Sequence, residues 1–261
     1  MYVIIKLIMK TQTSEDKLLR SITRMGQILL ENGAEISRVE DTMKRVSFSY
    51  GASVVDSYAT PSMLFISYSL DGEMYHNMKR TKIKTINLDK IDKINNLSRN
   101  ICKDKIDVDE LVKEIDKIDN FQTKTNKELV ILSSICAFGF AFIFGGGIKE
   151  AIASLIIGAL LKILMIYLEK VDFVSLFNYI VGGAFVSLMA TLLTYLNFSN
   201  LDTVIIASDM LLVPGLAITN AIRDLVSGDL ISGMTRTLEA IIIALGIALG
   251  SAFILKIFGG V

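Results

Sequence analysis

The chain has 261 residues, with 27 basic and 27 acidic side chains and a formal charge of zero, so nothing in its charge points to a nucleic-acid partner. Hydrophobic residues make up 52% and mean hydropathy is +0.52, but the charges crowd the first half and apolar runs fill the second. Two cysteines in different halves, Cys102 and Cys136, argue against a structural disulfide or a zinc site, and a single histidine, His76, removes most imidazole-based chemistry.

Residues 1–10 form a short apolar run broken by Lys6. It lacks the basic start and small-residue cleavage site of a signal peptide and is too short to cross a bilayer. A strand, a surface-lying segment and a misjudged start all remain open. Residues 14–31 place Leu18, Ile22, Met25 and Leu29 at helical spacing, with Asn32-Gly33 as the stop. A second helix is expected from Ser37, with Ser37 and Glu40 as a capping box and Ile36 as a hydrophobic staple. Segments 53–60 and 62–70 are rich in β-branched and aromatic residues, with a bend or bulge at Pro61. Asp71-Gly72 reads as a hairpin turn into a returning strand at 73–79, with a further strand possible at 82–86. Two polar helices follow near 88–103 and 107–119, and 121–128 reads as a linker. The expected N-terminal domain, residues 1–128, is therefore α+β.

The remainder, 129–261, reads as a bundle of about five transmembrane helices, near 129–147, 151–168, 174–196, 201–221 and 237–258. The fourth is the weakest, since it carries Asp202, Asp209 and Pro214-Gly215. Lys124, Lys127, Lys170, Arg223 and Arg236 fall on one side of the expected bundle. The other side has Lys149 and the terminal Lys256. The positive-inside rule then puts the N-terminal domain in the cytoplasm and the C-terminus outside. Lys162 lies near the cytoplasmic end of its span and can snorkel. Glycines 145–147, 182–183, 246 and 250 read as helix-packing positions.

The candidate transport site lies in 209–236. Pro214-Gly215 breaks the fourth span, because proline removes a backbone donor. A half-helix beginning there turns its N-terminal amides toward an anionic group. Asp209, one turn earlier, is an intramembrane carboxylate suited to proton coupling or to binding an ammonium group. Asn220 and Asp224, one turn apart, share a face of the following helix. Competing readings are a packing kink at Pro214, a solvated interfacial Asp209, and a plain cytoplasmic turn around Arg223, Asp224 and Asp229. In the N-terminal half, Glu35, Arg38 and Glu40 are candidates for a regulatory or ligand site, against capping and surface ion pairs. An enzyme is not expected. Ser53, Ser57, Ser62 and Ser67 stand in no nucleophile elbow, and His76 beside Tyr75 reads as a surface or packing residue. No cofactor or metal is expected.

Pro214-Gly215-Leu216, Asn220, Arg223-Asp224, Ser227-Gly228-Asp229, Gly233 and Arg236 together resemble the signature of the threonine/serine exporter family. Gly33-Ala34-Glu35, Arg38-Val39-Glu40, Tyr50-Gly51 and Ala59-Thr60-Pro61 resemble that family's N-terminal domain. The resemblance implies an ion-coupled inner-membrane exporter of small amino acids or related carboxylates. Fused members carry about ten spans, so a chain with about five resembles half of a split exporter and implies a second small membrane subunit. Some split members resemble succinate exporters. That leaves a dicarboxylate exporter, or a non-transporting sensory or structural subunit, as alternatives. Besides lipid and its substrate, the chain is expected to meet further subunits, since five spans make a thin wall around a cavity.

Overall fold

The computed structural model describes residues 14–82, 86–121, 124–171, 175–196 and 198–258. The expected apolar run at 1–10 and most of the strand expected at 82–86 lie outside these residues. Helices α1 (Ser14–Glu31) and α2 (Ile36–Ser49) precede strands β1 (Val54–Thr60), β2 (Met63–Leu70) and β3 (Glu73–Arg80). Then come α3 (Leu88–Lys103), α4 (Val108–Asp119), α5 (Asn126–Ile143), α6 (Ile148–Lys170), α7 (Ser175–Tyr195), α8 (Leu201–Asp209), α9 (Gly215–Val226) and α10 (Leu230–Phe258). The chain divides into two compact units. One holds residues 1–123 and 219–236, and the other holds 124–218 and 237–261.

In the first unit, the apolar stripe of α1 (Ile22, Met25, Leu29) is fully buried with Met43 and Val46 of α2 and with Leu64, Ile66 and Tyr68 of β2. Each such side chain contributes roughly 1.5–3 kcal/mol by leaving water. The two helices approach so closely that a Cβ on Gly26 would come within 2.5 Å of the Met43 sulfur. The sheet is antiparallel in the order β1-β2-β3. Pro61 leads a two-residue turn between Thr60 and Met63 rather than a bulge. Asp71 and Gly72 both take positive φ (52° and 84°), as a type I′ turn requires.

Helix α1 ends as expected. Gly33 has φ 86°, its amide donates to the Leu30 carbonyl, and the Ala34 amide donates to Leu29. This pair of bonds satisfies carbonyls that the helix end leaves open. The start of α2 departs from expectation. It begins at Ile36, and Glu35, the residue before it, supplies no side-chain cap. Nor is the Ser37–Glu40 box formed, because Glu40 Oε1 instead accepts from the Ala59 amide at 2.8 Å. The cap on Ile36 comes from Asp224, 188 residues away.

In the second unit, Thr125 and Glu128 cap α5 reciprocally. Among the described residues, four helices are long and apolar enough to cross a membrane: α5, α6, α7 and α10. They turn Ile131, Ile135, Ile152, Ile163, Leu245 and Phe253 outward. Small residues let them pack: a Cβ on Gly183 would meet the Ile247 carbonyl at 2.4 Å, and one on Gly250 the Ile180 carbonyl at 2.0 Å. Backbones in such contact fit the packing role read for Gly182-Gly183 and Gly250. The fourth expected span is not a single helix. Pro214 has no amide to continue the ladder, so α8 stops at Asp209 and α9 starts at Gly215. At 9 and 12 residues, α8 and α9 reach only about 14 and 18 Å, short of a bilayer core of about 30 Å.

Candidate functional site

Asp209 is the last residue of α8. Its backbone carbonyl accepts from Leu212 at 2.8 Å and Val213 at 3.2 Å, which closes the chain into the turn before Pro214. Its side chain is half-buried and lies within hydrogen-bond reach of Ser251 on α10. The Ser251 hydroxyl also reaches the Gly183 carbonyl at 3.2 Å, so one proton faces two acceptors. The second carboxylate oxygen, Oδ1, is buried with no hydrogen-bond partner among the described residues. The same holds for the hydroxyls of Ser154, Ser187 and Ser208 and for Asn178 Oδ1, all in this apolar unit. Unsatisfied buried polar atoms are uncommon, and each calls for an explanation such as a ligand or a transferable proton. Pro214 and Gly215 border this group in the chain. At the start of α9 the Gly215 amide donates to the Val213 carbonyl at 2.9 Å and the Ile218 amide to the Pro214 carbonyl at 3.0 Å.

Asn220 and Asp224 share a face of α9, as their spacing predicts, but belong to the other compact unit, where they grip the link between α1 and α2. Asn220 Nδ2 donates to the Gly33 carbonyl at 2.9 Å. Arg236 Nη2, from α10, donates to the Ala34 carbonyl at 2.7 Å. Arg223 pairs with the Glu35 carboxylate. Asp224 Oδ1 accepts from the Ile36 amide at 3.2 Å, placing a carboxylate at the positive end of α2. Four consecutive residues, Gly33 to Ile36, are thus each held by a side chain from 219–236.

The centre of this clamp is an ion pair, Arg236 Nε to Asp224 Oδ2 at 3.2 Å, with side chains only 3% and 1% exposed. Burial pushes the Asp224 carboxyl above the ordinary carboxylate range, while Arg236 and the Ile36 amide oppose the rise. The chain turns beyond Asp224 by the same device that ends α1. Gly228 has φ 92° and donates to Leu225, and Asp229 donates to the Asp224 carbonyl. Gly233 lets α10 lie on α9, since a Cβ there would meet Leu225 Cγ at 2.5 Å.

Of the N-terminal candidates, Glu35 sits in the clamp and also faces Arg38 at 3.7 Å. Glu40 points elsewhere, to the Ala59 amide. His76 is exposed on β3. In the sequence Arg223 and Arg236 count as positive-inside charges and as members of the exporter-like signature, without a binding role, and Ser251 carries no signal. The signal for the arginines was their place in the same motif as Asn220 and Asp224.

A family model described as "Putative threonine/serine exporter" matches residues 20–258. Among curated proteins, the chain is 22% identical to "Probable succinate transporter subunit YjjP" of Escherichia coli (strain K12), over 92% of this chain and 96% of the relative. It is 21% identical to the protein of the same name from Klebsiella aerogenes, over 92% of this chain and 95% of that relative. No solved structure gives a significant match. Four membrane-length apolar helices and a match to transporters together make this a multi-pass membrane protein.

Proposed function

The chain belongs to the threonine/serine exporter family, and we propose that it is one subunit of a split, ion-coupled exporter of small carboxylates in the inner membrane. The work is vectorial transport and needs no covalent chemistry. Two relatives of matching length are named transporter subunits, which supports a second membrane subunit. Their names favour a dicarboxylate of the succinate type as substrate. Threonine and serine form the second substrate class, favoured by the family description.

The observation that carries the reading is Asp209, a carboxylate with a buried oxygen that has no hydrogen-bond partner among the described residues, one turn before a broken helix in a mainly apolar unit. Charged, it repels a substrate carboxylate; protonated, it does not. Proton occupancy and anion occupancy are thereby linked. The first-turn amides of α9 offer the anion a complementary dipole end. If the substrate is an amino acid, the same carboxylate pairs with its ammonium group.

Segment 201–218 is the fourth, discontinuous crossing in this reading. Three membrane-length helices precede it, an odd number, yet residues 219–236 return to the compact unit that contains residues 14–121. A further crossing between Tyr195 and Thr219 reconciles the two. The excess of lysine and arginine at 124, 127, 170, 223 and 236 then makes the N-terminal unit cytoplasmic and the C-terminus external.

The test is efflux from vesicles preloaded with succinate, threonine or serine, with this chain alone and together with its second subunit. Gradient-dependent succinate efflux in the paired sample is the expected result. Efflux of threonine or serine instead moves the assignment to the amino-acid class. No efflux of the three, with both proteins inserted, overturns the exporter reading.

A further inference from the structure

A cleft of about 430 Å³ lies in the N-terminal unit, between α2 and α3. Glu35, Ser37, Arg38, Asp41, Thr42 and Arg45 line it from the α2 side, and Asn95 and Arg99 from α3. The spacing explains the convergence. Arg38, Thr42 and Arg45 stand at i, i+4 and i+7 on one helix face, and Asn95 and Arg99 at i and i+4 on the facing helix. Two of the three guanidiniums have a carboxylate neighbour: Arg45 pairs with Asp41, and Arg38 faces Glu35 at the longer distance of 3.7 Å. Glu35 is itself shared with Arg223. Arg99 is exposed and has no ion pair or hydrogen bond among the described residues. The cleft thus holds more positive than negative charge, with one cation unspent and a second loosely held. Ser37, Thr42 and Asn95 add neutral hydrogen-bonding groups.

We propose that this cleft binds a small multivalent oxyanion, a polycarboxylate or polyphosphate, as a ligand site separate from the transported solute. Guanidinium groups converging from two helices suit a ligand with at least two anionic groups, because each can engage an oxyanion through two N–H donors. Occupancy draws Arg38 from Glu35 and leaves that carboxylate to Arg223 alone. A ligand here therefore bears on the same residue that secures the clamp.

The test is titration calorimetry on the full chain in detergent at fixed ionic strength, with citrate and inorganic pyrophosphate as separate probes. Saturable binding of one probe is expected, and which one binds assigns the ligand to carboxylates or phosphates. Arg99→Gln should weaken that binding about tenfold or more, the scale of one charge-assisted hydrogen bond. It should leave the unfolding temperature without ligand unchanged, since Arg99 is exposed and makes no ion pair or hydrogen bond among the described residues. Asp209→Asn should leave the binding intact, which separates this site from the transport path. Absence of saturable binding for both probes, or equal binding by the Arg99→Gln variant, overturns the proposal.

Discussion

Two acidic residues of the 209–236 stretch, Asp209 and Asp224, meet opposite fates. Asp224 is buried, but the Ile36 amide donates to one oxygen and the other, though without a hydrogen bond, faces the Arg236 guanidinium at 3.2 Å in a buried ion pair. Asp209 has no cation beside it among the described residues: one shared hydroxyl reaches one oxygen, and the other has no hydrogen-bond partner there. A buried carboxylate held by a backbone amide and a cation works as a fastener, and one without a cation keeps capacity for a ligand or a proton. The clamp around Asp224 is thus the part of the stretch that stability explains. Asp209 is the part that it does not.

That contrast breaks first under substitution of the clamp. Asp224→Ala leaves Arg236 buried without its counter-charge and should destabilise the N-terminal unit by about 3–5 kcal/mol, read as a lower unfolding temperature and loss of protein from the membrane fraction. Replacing both partners, Asp224→Leu with Arg236→Met, should cost less than the two single changes added together. Additive losses would mean that the pair is not coupled. Gly33→Ala forces a side chain into positive φ, beside Ile86 Cγ1 at 3.2 Å, and should cost about 1 kcal/mol or more. Asn220→Ala removes one hydrogen bond to the Gly33 carbonyl, and a loss of about 1 kcal/mol in thermal unfolding is expected.

The smallest effect is a pH dependence at Glu40. Burial raises its carboxyl above the ordinary range, the Ala59 amide opposes this, and Asp229 adds to the rise. The folded state therefore keeps a proton that the unfolded chain has already released. This contribution to stability is complete below the unfolded value of about 4.3 and is lost as pH climbs through the folded one. Glu40→Gln should flatten that part of the stability–pH curve. An unchanged slope would assign it to other groups.

Much of this was legible in the residues. Apolar periodicity located α1, α3 and α4 within a residue or two, because each buries one stripe against a single core. Asp71-Gly72 announced its turn through the positive φ that both positions adopt. Pro214 announced the break through its missing amide. The start of α2 was misread because its cap is not local. Ser37 and Glu40 have the right spacing for a box, but a carboxylate 188 residues away holds the first amide instead. Spacing put Asn220 and Asp224 on one face and was right to do so. What it does not carry is which surface that face meets. Arg223 and Arg236 look like topology signals in sequence, and only the fold turns them toward Glu35 and Ala34.

The central claim is that Asp209 serves transport and not folding, and Asp209→Asn tests it most directly. The variant should insert in normal amount, unfold at or above the temperature of the unmodified protein, and support no gradient-dependent efflux in preloaded vesicles with the second subunit proposed above. Efflux at the unmodified rate from a correctly inserted Asp209→Asn protein would contradict the account.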